Sequence, residues 1–161
     1  MSTQQWCVVV CAAALAANSP ARAQSAPSHP DVTGVWKMDT TKFVKRDPEL
    51  AALTLTVSTR GDTLVVVADV LDAGRPPVQM RSTYLSAQAA RGQPDDSLAP
   101  ASVRGWIGDT LVLRSVERRP QRTLNIEERW TFDASGSTLS RSEIVVDGIR
   151  WSRQTLVFSR R

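Results

Sequence analysis

From about residue 32 onwards, apolar and polar side chains take turns along the chain. Leu124, Ile126, Glu128, Trp130 and Phe132 hold alternate places, with Asn125, Glu127, Arg129 and Thr131 between them. A period of two is the signature of a strand with one face against a core and the other towards water. Val32–Met38 and Val78–Leu85 read as further strands, the latter fenced off by Pro76-Pro77. The alternation breaks at glycines. Gly61-Asp62-Thr63-Leu64, Gly108-Asp109-Thr110-Leu111 and Gly136-Ser137-Thr138-Leu139 repeat one pattern, and Asp147-Gly148 adds a fourth tight-turn signal. Glycine opens a two-residue type II′ turn, whose twist matches the strands it joins, whereas the Asp-Gly order suits type I′.

Pairing residues across these turns assigns faces. A turn at Gly61-Asp62 sets Val57 opposite Val66, Leu55 opposite Ala68 and Leu53 opposite Val70, an apolar face; Thr54, Thr56 and Ser58 fall on the wetter one. A turn at Gly108-Asp109 sets Trp106 opposite Leu111 and Arg104 opposite Leu113. A turn at Asp147-Gly148 sets Ile144 opposite Trp151 and Ser142 opposite Arg153. Each of these two hairpins thus places a tryptophan and an arginine on one face. The reverse face of the last hairpin is polar near its turn (Glu143, Arg150, Ser152) and apolar farther away (Leu139, Leu156, Phe158), which predicts a bulge or strong coiling.

Residues 86–100 predict one long loop, and Pro48–Ala52 predicts the only turn of helix. About nine short strands joined mostly by hairpins predict an all-β domain. Closing such a meander removes its edges, so an antiparallel up-and-down β-barrel of about 8–9 strands is expected, with a β-sandwich as the alternative.

Ahead of this domain, residues 8–17 form an apolar run followed by Ala21-Arg22-Ala23, the small-x-small pattern of a secretory cleavage site. Residues 1–23 therefore read as a signal peptide, 24–31 as a flexible linker and 32–161 as one barrel domain. The run is too short for a membrane anchor. A secreted or periplasmic protein is expected, not integral to the membrane after cleavage. Both cysteines, Cys7 and Cys11, lie in the signal, and the single histidine, His29, in the linker. Disulfides, histidine-based catalysis and most zinc sites are accordingly not expected, and the sequence calls for no metal or cofactor. A formal charge of +4, spread mainly over single arginines, is no nucleic-acid footprint.

Thr33-Gly34-Val35-Trp36-Lys37 resembles the Gly-x-Trp signature of lipocalin-like proteins. The resemblance implies that Trp36 closes the barrel floor and that an arginine from the last strand, Arg160, packs on it. The chain is also similar to a group of small secreted bacterial proteins that open with Gly-x-Trp-Lys and carry Gly-Asp-Thr-Leu hairpins. The same opening resembles that of the avidins, but Lys37-Met38-Asp39 stands where small polar ligand contacts belong.

Trp106, Trp130 and Trp151, with Tyr84 and Met80, are the expected lining of a cavity for a small hydrophobic or amphipathic ligand. Arg104, Glu128 and Arg153 are charges on otherwise apolar stripes and must pair with each other, meet a ligand or reach a rim. An unused guanidinium among them would suit a ligand carboxylate. The sequence thus predicts a non-catalytic lipocalin-like binder. One alternative is an interaction module docking on another envelope protein or membrane complex, through an outer face or the basic 118–122 end. A second is a barrel-type isomerase or cyclase built on Glu128 and a nearby arginine, which requires an enclosed carboxylate with a raised pKa.

Overall fold

The computed structural model describes residues 29–42, 49–91 and 102–161. The expected signal segment, both cysteines and most of the expected linker fall outside these residues. The strands are β1 (Gly34–Met38), β2 (Leu50–Arg60), β3 (Thr63–Asp72), β4 (Val78–Ser86), β5 (Val103–Ile107), β6 (Thr110–Arg119), β7 (Arg122–Phe132), β8 (Thr138–Asp147) and β9 (Arg150–Arg160). Each pairs with the next, and β9 returns to β1, so the sheet is a closed barrel rather than a sandwich.

Eight of the nine pairings are antiparallel, and β4–β5 is parallel. Parity demands one such pair: strands that alternate in direction around a ring of nine cannot all be antiparallel. The purely antiparallel meander expected from the hairpin spacing is corrected at this one seam. The stretch between β4 and β5 opens with a short helix, α1 (Ala87–Arg91), where the sequence predicts loop. Ser86 caps it, its Oγ accepting from the Ala89 amide at 3.1 Å. Pro48 lies outside the described residues, and the rest of the helical turn predicted at Pro48–Ala52 does not form. Leu50–Ala52 already belongs to β2, because Leu50 and Leu53 both turn inwards to the core.

The β2–β3 register follows the pairing expected across Gly61-Asp62 as far as Leu53 opposite Val70, and a bulge near Leu50 ends it. The β5–β6 register likewise sets Trp106 opposite Leu111 and Arg104 opposite Leu113. At β8–β9 the turn lies one residue later than predicted. Asp147 faces Arg150, and Gly148 and Ile149 form the loop. Type I′ at Asp147-Gly148 would need a positive φ at Asp147, and no described residue other than glycine has one; Gly148 takes it, at 60°. The third Gly-x-Thr-Leu is a longer loop. The Asp133 carboxylate accepts from the Ser137 and Thr138 amides at 2.8 and 2.9 Å and from Ser135 Oγ, and Gly136 sits inside the loop. Of the bulge or strong coiling predicted at β8–β9, the bulge is absent, since the pairing runs without a register shift.

The core fills one end of the barrel. Trp36, Trp130, Phe158, Leu55, Leu64, Leu111, Leu113 and Leu139 are almost wholly buried. Fully burying one such side chain is worth about 1.5–3 kcal/mol. The closed end is finished as the Gly-x-Trp resemblance implies. The Arg160 guanidinium lies 4.9 Å from the centre of the Trp36 ring and donates to the carbonyls of Asp31 and Thr33 at 2.6 and 2.7 Å. Trp36 Nε1 donates to the Val32 carbonyl at 3.0 Å. His29, expected in a free linker, instead stacks on Trp106 at 4.2 Å, so the described chain is anchored to the floor from residue 29.

Candidate functional site

Above this floor the barrel is not filled. A cavity of about 270 Å³ opens between β2–β4 on one side and β7–β9 on the other, towards the end that carries the 119–122 and 147–150 hairpins. Leu50, Leu53, Leu55, Val66, Val70 and Leu156 make its walls apolar. One wall is charged.

The charged wall follows from the strand register. On β7, Glu128 and Trp130 point inwards; on β8, Arg141 stands opposite Trp130 and Glu143 opposite Glu128. Two carboxylates therefore face each other on neighbouring strands, an arrangement that repels unless a cation intervenes. Arg141 intervenes. Its Nε donates to Glu128 Oε2 at 2.7 Å and its Nη2 to Glu143 Oε2 at 2.6 Å. Trp130 Nε1 donates to the same Glu128 oxygen at 2.8 Å, and the Tyr84 hydroxyl makes a longer contact with Glu128 Oε1 at 3.4 Å. Gln154, opposite Glu143 on β9, brings a buried amide nitrogen with no hydrogen-bond partner to the same cavity.

Burial opposes the charge on Glu128 more than any single contact favours it. Even so, the Arg141 charge and the hydrogen bonds from Arg141, Trp130 and Tyr84 together hold its carboxyl below the usual range. Burial also opposes the charge on Arg141, but Glu128 and then Glu143 bind its proton more firmly than water would. Burial first, and the Glu128 charge second, push the Tyr84 phenol well above its ordinary value, so it stays a hydroxyl donor. At the rim Asp72 adds a third carboxylate, 3.9 Å from Arg75. Of the charged side chains that line the cavity, three are carboxylates and one is a guanidinium, with Arg75 beside Asp72 at the rim.

Of the side chains expected to line a cavity, Trp130, Tyr84, Met80 and Glu128 do so. Trp106 shares the inner face but belongs to the floor, against Phe132 and His29. Arg104 lies at that closed end too, its Nε donating to the Asp62 carbonyl at 3.4 Å. Trp151 and Arg153 are corrected outright: both face outwards. They share a face with Ser142, Ile144 and Val146, as the sequence reading holds, but that face is the outside of the barrel. Trp151 is 71% exposed, and Arg153 Nε donates to Ser142 Oγ at 3.0 Å. The inner face of this hairpin is the one carrying Leu139, Arg141, Glu143, Gln154 and Leu156. Arg141, Glu143 and Gln154 were missed as site residues. The β7 stripe continued across the 133–137 loop points to Arg141 and Glu143, since Phe132 meets Leu139, Trp130 meets Arg141 and Glu128 meets Glu143, and Gln154 follows one strand further, opposite Glu143.

Among the described residues no cluster of three or more His, Cys, Asp or Glu is arranged to hold a metal ion, and no helix is long and apolar enough to cross a membrane. No protein-family model matches the chain, and no curated protein is similar enough in sequence to assign it a family.

Proposed function

We propose that this barrel binds a small amphipathic ligand without transforming it, and that the ligand's polar head is a cation such as a primary amine. One observation carries the reading: Glu128 and Glu143 share the single guanidinium of Arg141 on the wall of an apolar cavity. The wall keeps a negative excess, which a cation would complete and a ligand carboxylate would worsen. At an effective dielectric constant of about 20, a unit charge 4 Å from a carboxylate gains about 4 kcal/mol before desolvation. The expectation of a carboxylate ligand on a spare arginine loses its support, because Arg153 is outside and Arg141 is engaged by two carboxylates.

The volume limits the body of the ligand. At about 270 Å³ the cavity falls just below the roughly 300–1,000 Å³ usual for binding pockets, which suits a short amphiphile. Long-chain lipids would not be enclosed. The isomerase or cyclase alternative needs a carboxyl with a raised pKa, whereas Glu128 is held ionised and already accepts hydrogen bonds from Arg141, Trp130 and Tyr84. The Trp36–Arg160 closure supports the lipocalin-like resemblance, and export rests on the 8–17 apolar run and Ala21-Arg22-Ala23.

Native mass spectrometry before and after extraction with organic solvent tests the proposal. A co-purified basic molecule lost on extraction, or uptake of n-octylamine by the extracted protein, is expected. An extracted protein that takes up neither n-octylamine nor n-octanol would overturn the binding reading.

A further inference from the structure

The cavity opens at the end of the barrel where the exposed apolar side chains also gather. Seven large apolar residues are exposed among the described ones, and five of them, Leu71, Val78, Met80, Ile149 and Trp151, stand at this end. Ile149 is fully exposed at the tip of the β8–β9 hairpin, and Trp151 lies one rung behind it. Around them, residues 117–122 and 147–153 carry five arginines, Arg118, Arg119, Arg122, Arg150 and Arg153, against Glu117 and Asp147. The two tips are therefore net positive, even with Arg119 on Glu117 at 2.9 Å and Arg122 on Asp147 at 3.1 Å.

We infer that this open rim docks on an anionic lipid bilayer, with Ile149 and Trp151 inserted among the head groups and the arginines against lipid phosphates. A protruding isoleucine beside a tryptophan suits the interfacial layer, where one part of the side chain meets hydrocarbon and the indole N–H meets water. Positive tips suit a surface of negative charge. The barrel wall itself is not built for lipid. Its outer face carries Arg114 and Arg129, both paired to Glu127 at 2.9 and 2.8 Å, while its inner face holds the apolar core. Docking by the rim would turn the cavity mouth to the bilayer surface. The inference does not depend on the cavity being a binding site.

Co-sedimentation of the purified protein with vesicles of phosphatidylcholine alone, or of phosphatidylcholine and phosphatidylglycerol in equal parts, tests it. Binding to the mixed vesicles at low salt is expected, with at least tenfold less on phosphatidylcholine and a blue shift of Trp151 emission on docking. The double variant Ile149→Ser, Trp151→Ser should bind at least tenfold more weakly while keeping the parent's far-ultraviolet circular dichroism and its urea unfolding midpoint. Those two readouts show the variant folded whether or not the cavity takes up a ligand. Equal binding to both vesicles, binding to neither, or a variant that docks like the parent would overturn the inference. So would capture by soluble polyglutamate with no binding to mixed vesicles, which would mark the rim as a site for an acidic protein.

Discussion

The two ends of this barrel each hold an arginine near an indole, and they use it differently. At the closed end Arg160 lies over Trp36 and donates to two backbone carbonyls, so its charge helps satisfy the chain that enters the barrel. At the open end Arg141 stands opposite Trp130 and donates to two carboxylates beside a cavity. The first arrangement buries Trp36 completely and is a closure. The second leaves about 270 Å³ and an excess of negative charge. The same pair of residue types is structural in one place and a candidate for recognition in the other, and the partner atoms decide which.

Breaking each end should separate these roles. Trp36→Ala should cost about 3–5 kcal/mol, since it empties the best-packed part of the floor. Urea denaturation would measure it, and n-octylamine uptake below the unfolding transition should be nearly unchanged. Arg141→Met should cost a similar or slightly smaller amount, about 3–5 kcal/mol, because it leaves Glu128 and Glu143 opposed and uncompensated. Adding Glu128→Gln should recover much of that loss, whereas no carboxylate substitution should rescue Trp36→Ala. If the double variant is no more stable than Arg141→Met alone, the two glutamates are not what Arg141 holds.

Acid should distinguish the ends as well. The folded-state pKa of Glu128 is depressed below the ordinary 4.5, so its contribution is fully present above that value. It is lost as pH falls through the folded pKa. A stability–pH profile should therefore drop below about pH 4.5, more steeply in the parent than in Glu128→Gln. Equal slopes would mean that Glu128 does not titrate differently on unfolding. The smallest effect belongs to the outer hairpin. Gly148→Ala forces a positive φ on a residue with a Cβ and should cost about 1–2 kcal/mol, leaving the pH profile unchanged.

Much of the fold could be read from alternation and turns. Leu53–Val57 against Val66–Val70, and Trp106 against Leu111, pair as glycine at the first turn position requires. The parallel β4–β5 seam could not be read in this way, because it depends on a long connection with no turn signal. The site was half legible. Glu128 stood out as a charge on the apolar stripe of β7. Its partners did not, since Gly136 suggests a tight turn where Asp133 builds a longer loop, and that turn breaks the register that carries the β7 stripe into β8. Trp151 and Arg153 misled for a related reason: in a ribbon whose inner face turns polar around a cavity, composition alone does not tell inside from outside.

The claim that the charged wall selects a cation is tested most directly by isothermal titration of n-octylamine and octanoate into the parent and into Glu143→Gln. The amine should bind the parent at least tenfold more tightly than octanoate, and Glu143→Gln should narrow the gap. Tighter binding of octanoate, or an amine preference untouched by Glu143→Gln, would contradict it.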